Sequence, residues 1–282
     1  MHNHITGLDN IVIAVRDLAE AAATFGRLGF ALTPRGHHPE WGTANHCLMF
    51  ARDYIELRAA EGPGAEAERL RVFTARREGA FELSFGCDDG AAAAESLRRA
   101  GLAVDPPRSL SRRLDNAEGT VLRFSELLLP ANATPGLSSR LIQHITRERM
   151  RFPEWLGHPN GAIGIASVTA VLDDPGEQIR AWDTLFGPHA ATPTDNTVTV
   201  HTGRGLVFLT RPEELTQLHP EAELDEPPAP PAIVALAVQV ADTARTAQVL
   251  RESGVAFSRD TEGTLRVPPS DACGLFLEFV NG

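Results

Sequence analysis

The strongest constraint on the fold is a unit that occurs four times along the chain: an apolar run, then an aspartate and, twelve or thirteen residues later, a glycine. The aspartate and glycine of the four units are, in order, Asp17 and Gly29, Asp89 and Gly101, Asp174 and Gly187, and Asp242 and Gly254. An aspartate after a strand caps a helix, because its carboxylate accepts hydrogen bonds from the free amides of the first turn. A glycine ends a helix because it readily adopts the left-handed conformation. Each unit therefore predicts a strand followed by a helix.

Further apolar and β-branched stretches follow each glycine, so each unit is predicted to contain one strand, one helix and about three more strands. The 282 residues of the chain allow about 70 residues for each unit. A unit of this size cannot bury its own sheet face, so the units must pair. The sequence predicts an α+β protein in which four units form two domains.

Turn-forming residues mark the expected boundaries. Residues 1–147 form the first predicted domain, residues 148–161 a turn-rich linker, and residues 162–282 the second domain. Inside the second half, the acidic and proline-rich stretch from Glu221 to Pro231 predicts an extended, solvated connection.

Composition excludes several classes of function. A net charge of −11 argues against a nucleic-acid partner, and no apolar run approaches the roughly 20 residues of a membrane span. All basic residues are arginine, which excludes a Schiff-base lysine and a phosphate-loop lysine. The N-terminal residues lack the pattern of a signal sequence, so we expect a cytoplasmic protein that acts on a small molecule, with a homodimer as a possible assembly.

The predicted strands have two distinct faces. In the first strand, Ile11, Ile13 and Val15 are predicted to pack against the helix, whereas Asn10 and Val12 point the other way. The second unit repeats the pattern, with Leu83, Phe85 and Cys87 on the packing face and Glu82, Ser84 and Gly86 on the opposite face. The second face carries small and polar residues suited to line a cavity.

Five segments carry a resemblance to a known family: residues 7–18, 28–30, 42–45, 53–57 and 276–279. On these segments the chain resembles the vicinal oxygen chelate superfamily, and within it the glyoxalase-like proteins. The resemblance implies four βαβββ modules that pair into two glyoxalase/dioxygenase-like domains. It also implies a site enclosed by each pair of modules, with a metal commonly bound by residues of the first and last strand of each module.

Carried over residue by residue, the resemblance implies metal ligands at Asn10 and Glu56 in the first module, and at Glu82 with Gln143 or His144 in the second. The choice between Gln143 and His144 depends on the strand register. This chain departs from the family at Asn10, where the family has a histidine. An amide oxygen binds most transition metals less well than imidazole does, so the expected cofactor is a possible divalent metal, Mn, Fe, Ni, Mg or Zn.

In the second half, the matching positions are Ser167, Phe208 or Leu209, Ala235 and Glu278. One carboxylate without partners does not hold a catalytic metal, since such sites need several ligands at fixed geometry. The second domain is therefore expected to be a degenerate copy, and the active site is expected in the first half.

Other residues complete the candidate site. Glu56 is expected to face the cavity as a catalytic carboxylate, with an exposed or salt-bridged strand position as the alternative. His46 is a candidate base or ligand if the turn before Glu56 places both on one face. Trp41, His38 and Ser84 are candidate substrate contacts.

An arginine cluster, Arg108, Arg112 and Arg113, lies in a long segment of the second module between Val104 and Thr120. These side chains are expected to be solvated. If the segment instead folds over the cavity, they would receive a carboxylate.

Two functions from different classes remain. The first is a metal-assisted enzyme, a lyase, isomerase or ring-opening dioxygenase, that acts on a small oxygenated molecule in the N-terminal half. The alternative is a metal-free, resistance-type protein that binds or sequesters a small molecule.

Overall fold

The structure is a computed structural model, which describes residues 4–220 and 228–282. Most of the acidic stretch predicted as a solvated connection, and the first residues of the N-terminus, lie outside the described residues. Over residues 4–220 and 228–282, no helix combines the length and the apolar character needed to cross a membrane.

The first half contains two βαβββ modules. Their strands, in chain order, are β1 (Ile5–Ala14), β2 (Gly36–His38), β3 (Thr43–Met49), β4 (Tyr54–Ala60), β5 (Gly79–Cys87), β6 (Arg108–Leu114), β7 (Val121–Leu128) and β8 (Ser139–His144). The helices are α1 (Leu18–Arg27) in the first module, α2 (Ala65–Thr74) between the modules and α3 (Gly90–Arg99) in the second.

The second half repeats this order. A 3-10 helix (Arg147–Met150) and the short helix α4 (Pro153–Leu156) connect the halves. The strands that follow are β9 (Ala162–Val171), β10 (Ala191–Thr194), β11 (Thr197–His201), β12 (Leu206–Thr210), β13 (Ala232–Val240), β14 (Ser258–Arg259), β15 (Leu265–Val267) and β16 (Phe276–Asn281). The helices are α5 (Ile179–Phe186), α6 (Leu215–Leu218) and α7 (Thr243–Glu252). The predicted α+β fold of four βαβββ modules is confirmed.

The two halves use their strands differently. In the first half the eight strands close into a barrel, in the order β1-β4-β3-β2-β6-β7-β8-β5. The short strand β2 joins the two modules on one side, where His37 lies opposite Arg113 of β6. In the second half the strands form an eight-stranded sheet in the order β10-β11-β12-β9-β13-β16-β15-β14. Among the described strands, therefore, only those of the first half enclose a barrel interior.

The predicted helix caps are present in three of the four units. Asp17, Asp89 and Asp242 each accept a hydrogen bond from an amide of the first turn of the helix that follows. In the third unit, Asp174 accepts from the amide of Gly176, and a 3-10 turn precedes α5. That extra turn accounts for the spacing of thirteen residues in the third unit.

The predicted packing face forms one apolar core shared by both halves. Ile11, Ile13, Leu83 and Phe85 belong to it, together with residues of β9, β13 and β16. Aromatic rings cross between the halves: Phe85 and Phe186 have ring centroids 4.9 Å apart, and the rings of Phe30 and Phe279 stack at 5.9 Å. The opposite face of the first sheet is left to line the barrel interior.

Candidate active site

The barrel interior encloses a cavity of about 20 Å³, which is the space of roughly one water molecule. Residues from seven of the eight strands and from the turn after β2 line it: Asn10, His38, Trp41, Tyr54, Glu56, Arg58, Ser84, Leu110, Arg112, Phe124, Arg140 and Ile142. Five of the residues predicted from the sequence are therefore brought together here. The other lining residues include three arginines.

Glu56 is buried and fully engaged by its neighbours. Arg58, two residues further along β4, donates from Nε to Oε1 and from Nη2 to Oε2, both at 2.8 Å. Asn45 donates from Nδ2 to Oε1 at 2.6 Å. Burial alone would raise the pKa of Glu56, but the charge and hydrogen bonds of Arg58 outweigh it and hold this pKa well below its usual value. Glu56 is therefore a carboxylate at neutral pH, not a base with a raised pKa.

Arg140 of β8 holds a cluster of buried carboxylates together. It pairs with Glu66 of α2 at 2.9 Å, with Glu126 of β7 and with Glu82 of β5. Glu66 also accepts from Arg58, at 3.2 Å. The ion pairs thus run continuously from Glu56 to Glu126 and fill the barrel beside the cavity.

Arg112 of β6 differs from the other two arginines. Its guanidinium is buried, with the side chain of Cys47 as its hydrogen-bond acceptor at 2.9 Å and the ring of Phe124 at 5.7 Å. Within the described part of the chain, no carboxylate forms an ion pair with it, and its Nε has no hydrogen-bond partner. The Oδ1 atom of Asn10, which lines the same cavity, is also buried without a partner. The sequence-based expectation that Arg112 is solvated is therefore wrong.

Trp41 and His38 cover the cavity on the side of β2. The Trp41 ring lies 5.0 Å from the guanidinium carbon of Arg58 and 4.8 Å from that of Arg140. His38 packs on Trp41 with ring centroids 4.9 Å apart, and its Nδ1 lies 3.1 Å from the hydroxyl of Thr43. Burial lowers the pKa of His38 well below its usual value, so the imidazole is neutral at pH 7. Both residues line the cavity, and their role as substrate contacts stays a prediction.

The remaining residues predicted as metal ligands do not join Asn10 and Glu56 around the cavity. Glu82 faces the barrel interior but is held in the arginine cluster. Gln143 lies outside the barrel, where it accepts from the amide of Gly90 at 3.1 Å and so caps α3. His144 faces inwards, but its Nε2 lies 2.7 Å from Asp9 Oδ2. The structure thus assigns Gln143 and His144 to two different sites.

His46 does not share a face with Glu56. Cys47 is the residue opposite Glu56 in the pairing of β3 with β4, so His46 lies opposite Leu57 on the other side of the sheet. Its Nδ1 lies 2.8 Å from the carbonyl oxygen of Thr33. The register therefore removes His46 from the cavity.

A divalent metal does not fit the donors that line this cavity. Glu56 is the single carboxylate among the lining residues, and both its oxygens accept from Arg58. Three guanidinium groups line the same cavity and would repel a cation. Among residues 4–220 and 228–282, no group of three or more His, Cys, Asp or Glu residues is placed to hold a metal ion.

The second half carries a smaller polar cluster. Glu278 of β16 accepts from Arg266 Nε at 2.8 Å and lies 2.9 Å from His219 Nδ1. His219 Nε2 lies 2.7 Å from the hydroxyl of Thr169. Ala235 pairs with Thr169, just as Asn10 pairs with Ser84 in the first half. Thr169, two residues beyond the predicted Ser167, is therefore the site position on β9.

Sequence reasoning missed Arg58, Arg140 and His219. Arg58 lies two residues after Glu56, and Arg140 lies two residues before Ile142, so each shares a strand face with a cavity residue. That alternation was the available signal for the two arginines. His219 follows α6, outside the strands of the modules, and no strand pattern places it.

The family comparison agrees with this fold. The family model for the glyoxalase-like domain matches residues 8–186, and the chain belongs to this family, within the vicinal oxygen chelate superfamily. Among curated protein sequences, none matches the chain significantly.

Solved structures show the same fold at low sequence identity. A hypothetical protein from Staphylococcus aureus superimposes with a TM-score of 0.71 and 12% identity, over 98% of this chain and 99% of that one. A triple mutant of 4-hydroxymandelate synthase from Streptomyces coelicolor gives a TM-score of 0.59 at 16% identity, over 98% of this chain and 92% of that one. A fusion of a xylose isomerase-like TIM barrel with a 4-hydroxyphenylpyruvate dioxygenase gives a TM-score of 0.57 at 14% identity, over 98% of this chain and 48% of that one.

Proposed function

We propose that the N-terminal barrel binds a small organic molecule without a metal ion. The observation that carries this proposal is the state of Glu56, the carboxylate at the family's ligand position. Both its oxygens accept from Arg58, and Asn45 adds a third hydrogen bond. A metal would have to break these charge-assisted bonds in a cavity already lined by three guanidinium groups.

The alternative, a metal-assisted lyase, isomerase or dioxygenase, draws its support from the fold. Two structural neighbours are a 4-hydroxymandelate synthase variant and a fusion protein that contains a 4-hydroxyphenylpyruvate dioxygenase. Fold likeness at 14–16% identity does not carry a reaction over to another chain, because one fold hosts many chemistries. The donors at the site support metal-free binding.

Ligand entry requires a movement of Trp41. The present cavity holds roughly one water, and Trp41 lies over the Arg58 and Arg140 side chains on one of its walls. Trp41 belongs to the turn between β2 and β3 and is half-buried, so it can move without breaking a strand. A bound molecule would take the place of the indole against the two guanidinium groups.

Calorimetric titration of metal-free protein with Mn²⁺, Fe²⁺, Ni²⁺, Mg²⁺ and Zn²⁺ tests the proposal. We expect no stoichiometric binding that depends on Glu56. The Glu56→Gln variant would remove the predicted ligand, and Glu278→Gln is the matched control in the second half. One equivalent of metal that is lost in Glu56→Gln and kept in Glu278→Gln would overturn the proposal in favour of the metal-assisted enzyme.

A further inference from the structure

We infer that the ligand of the N-terminal barrel is a small organic carboxylate held by Arg112, with a hydroxyl that donates to Asn10. This inference rests on the proposed function and names the class of molecule bound.

The three arginines of the cavity differ in how their charge is matched. Arg58 pairs with Glu56 and Glu66, and Arg140 pairs with Glu66, Glu82 and Glu126. Arg112 is equally buried, with 2% of its surface exposed, but has no ion-pair partner among the described residues. A guanidinium has five N–H donors in a fixed plane, and its contact with Cys47 uses one of them, on Nη1.

The groups around Arg112 do not supply the missing negative charge at neutral pH. Burial raises the pKa of the Cys47 thiol to about 11, and burial also raises the pKa of Tyr54 well above its usual value. Both are therefore uncharged at pH 7. The charge of Glu56 also acts on Arg112, but both oxygens of Glu56 are already hydrogen-bonded to Arg58, and Asn45 donates to one of them. A buried, unpaired cation is costly, so an anion from solution is the partner that this position favours.

A carboxylate fits this position better than a single-atom anion. The guanidinium fork binds the two oxygens of a carboxylate in one plane, and its Nε is among the free donors. The unsatisfied Oδ1 of Asn10 lines the same cavity and needs a donor, which a hydroxyl on the ligand supplies. The ring of Phe124 and the side chains of Leu110 and Ile142 provide apolar walls for the body of such a molecule.

The first experiment uses the wild-type protein, freed of metal, and three probes of one shape: 3-hydroxybenzoate, benzoate and 3-hydroxybenzamide. Binding is followed by calorimetry and by tryptophan fluorescence, since Trp41 must move. We expect 3-hydroxybenzoate to bind roughly 10- to 100-fold more tightly than the neutral amide, because the amide cannot pair with a guanidinium. Benzoate, which lacks the hydroxyl, is expected to bind roughly two- to tenfold more weakly than 3-hydroxybenzoate.

The second experiment uses Arg112→Met with Arg113→Met as the matched control. Arg113 is the next residue of the same strand and is exposed on the outside of the barrel. Arg112→Met is expected to lose the preference for the carboxylate probe and to unfold at a urea concentration no lower than wild type, because an unmatched buried charge is removed. Arg113→Met is expected to keep the preference. A loss of stability in Arg112→Met with an unchanged carboxylate preference would overturn the inference and leave Arg112 a structural residue.

The outcomes separate the two proposals. If 3-hydroxybenzamide binds as tightly as 3-hydroxybenzoate in the absence of metal, the inferred class of ligand is overturned and the proposed function still stands. Probes that bind only after metal loading would overturn the proposed function as well. Titration with chloride and phosphate distinguishes an inorganic anion from an organic one. If these ions bind at Arg112 and do not compete with the organic probes, an organic ligand at Arg112 is excluded. If none of the probes or ions binds under any condition, both proposals fail.

Discussion

Each half has a glutamate at the same point of a βαβββ module, in the first module of the first half and in the second module of the second half, and its partners differ between the halves. Glu56 lies opposite Val12 in the parallel pairing of β4 with β1, and Glu278 lies opposite Ala237 in the parallel pairing of β16 with β13. In the first half the barrel closes through β2 and β6, and its interior is filled by arginines and carboxylates. In the second half the sheet does not close among the described strands, and Glu278 is held by Arg266 and His219. The module determines the position of the glutamate on its strand, whereas closure of the sheet into a barrel determines which residues surround it.

The charge balance also differs between the halves. Arg266 pairs with both Glu278 and Asp260 at 2.8 Å, so this arginine has two acid partners. Arg112 in the first half has none among the described residues. Among the described residues, a buried arginine without an ion-pair partner inside a closed barrel is a feature of the first half, and it supports the class of ligand inferred there.

The largest effect is expected from removing the arginine at the centre of each cluster. Arg140→Met leaves Glu66, Glu82 and Glu126 buried around an apolar side chain and should lower the free energy of unfolding by about 3–5 kcal/mol. Arg266→Met leaves Glu278 with His219 and should cost about 1–3 kcal/mol. Urea unfolding of both variants compares the clusters. Equal costs would mean that closure of the barrel adds nothing to the dependence on its arginines.

An intermediate effect concerns Asp53, which links the halves by accepting from the amide of Ile165 at 2.9 Å. Burial raises its pKa to about 6, above the value of about 3.9 expected in the unfolded chain. The folded state therefore holds its proton more tightly, so stability should fall as the pH rises from about 4 to about 6 and then level off. The difference is about 3 kcal/mol.

The Asp53 prediction is checked by unfolding wild type and Asp53→Asn in urea at several pH values between 4 and 7. The wild type should lose stability relative to the variant over this interval. A pH-independent difference would show that the carboxylate is solvated and that the contact between the halves does not titrate.

The smallest effects are expected at Thr169 and Ser84, two polar residues on the first strands of their modules. Thr169→Val removes the hydroxyl next to His219 Nε2 and should cost about 1 kcal/mol. Ser84 makes no side-chain hydrogen bond within the described part of the chain, so Ser84→Ala should change stability by less than about 0.5 kcal/mol. Thermal unfolding of the two variants measures both. A larger cost for Ser84→Ala would show a hidden partner in the first cavity.

The parts of this structure that depend on local chemistry could be predicted from the sequence. Three aspartate caps and all four closing glycines are present, and each of these glycines has a positive φ, as at Gly29 and Gly187. The packing face of β1 and β5 follows from simple alternation. Cavity positions on single strands, such as Asn10, Glu56 and Ser84, follow from the same alternation.

The parts that depend on pairing between strands could not be predicted. The pairing of β1 with β5 shifts register between Leu8 and Asn10 and again after Val12, so Ser84, not Glu82, is the partner of Asn10. The burial of Arg112 results from barrel closure, which no local pattern reveals. The placement of His219 depends on a four-residue helix outside the modules.

The apolar core shared by the two halves makes the molecule one cooperative body despite its duplicated plan. A cut between residues 148 and 161 would sever the chain, but each piece would then expose rings such as Phe30 or Phe279 that now stack on each other. Neither piece is expected to persist alone in water, and the nicked protein should remain assembled and melt in a single transition. Recombination of modules from different relatives is therefore constrained less by the strands of each module than by the aromatic contacts in the apolar core that the two halves share.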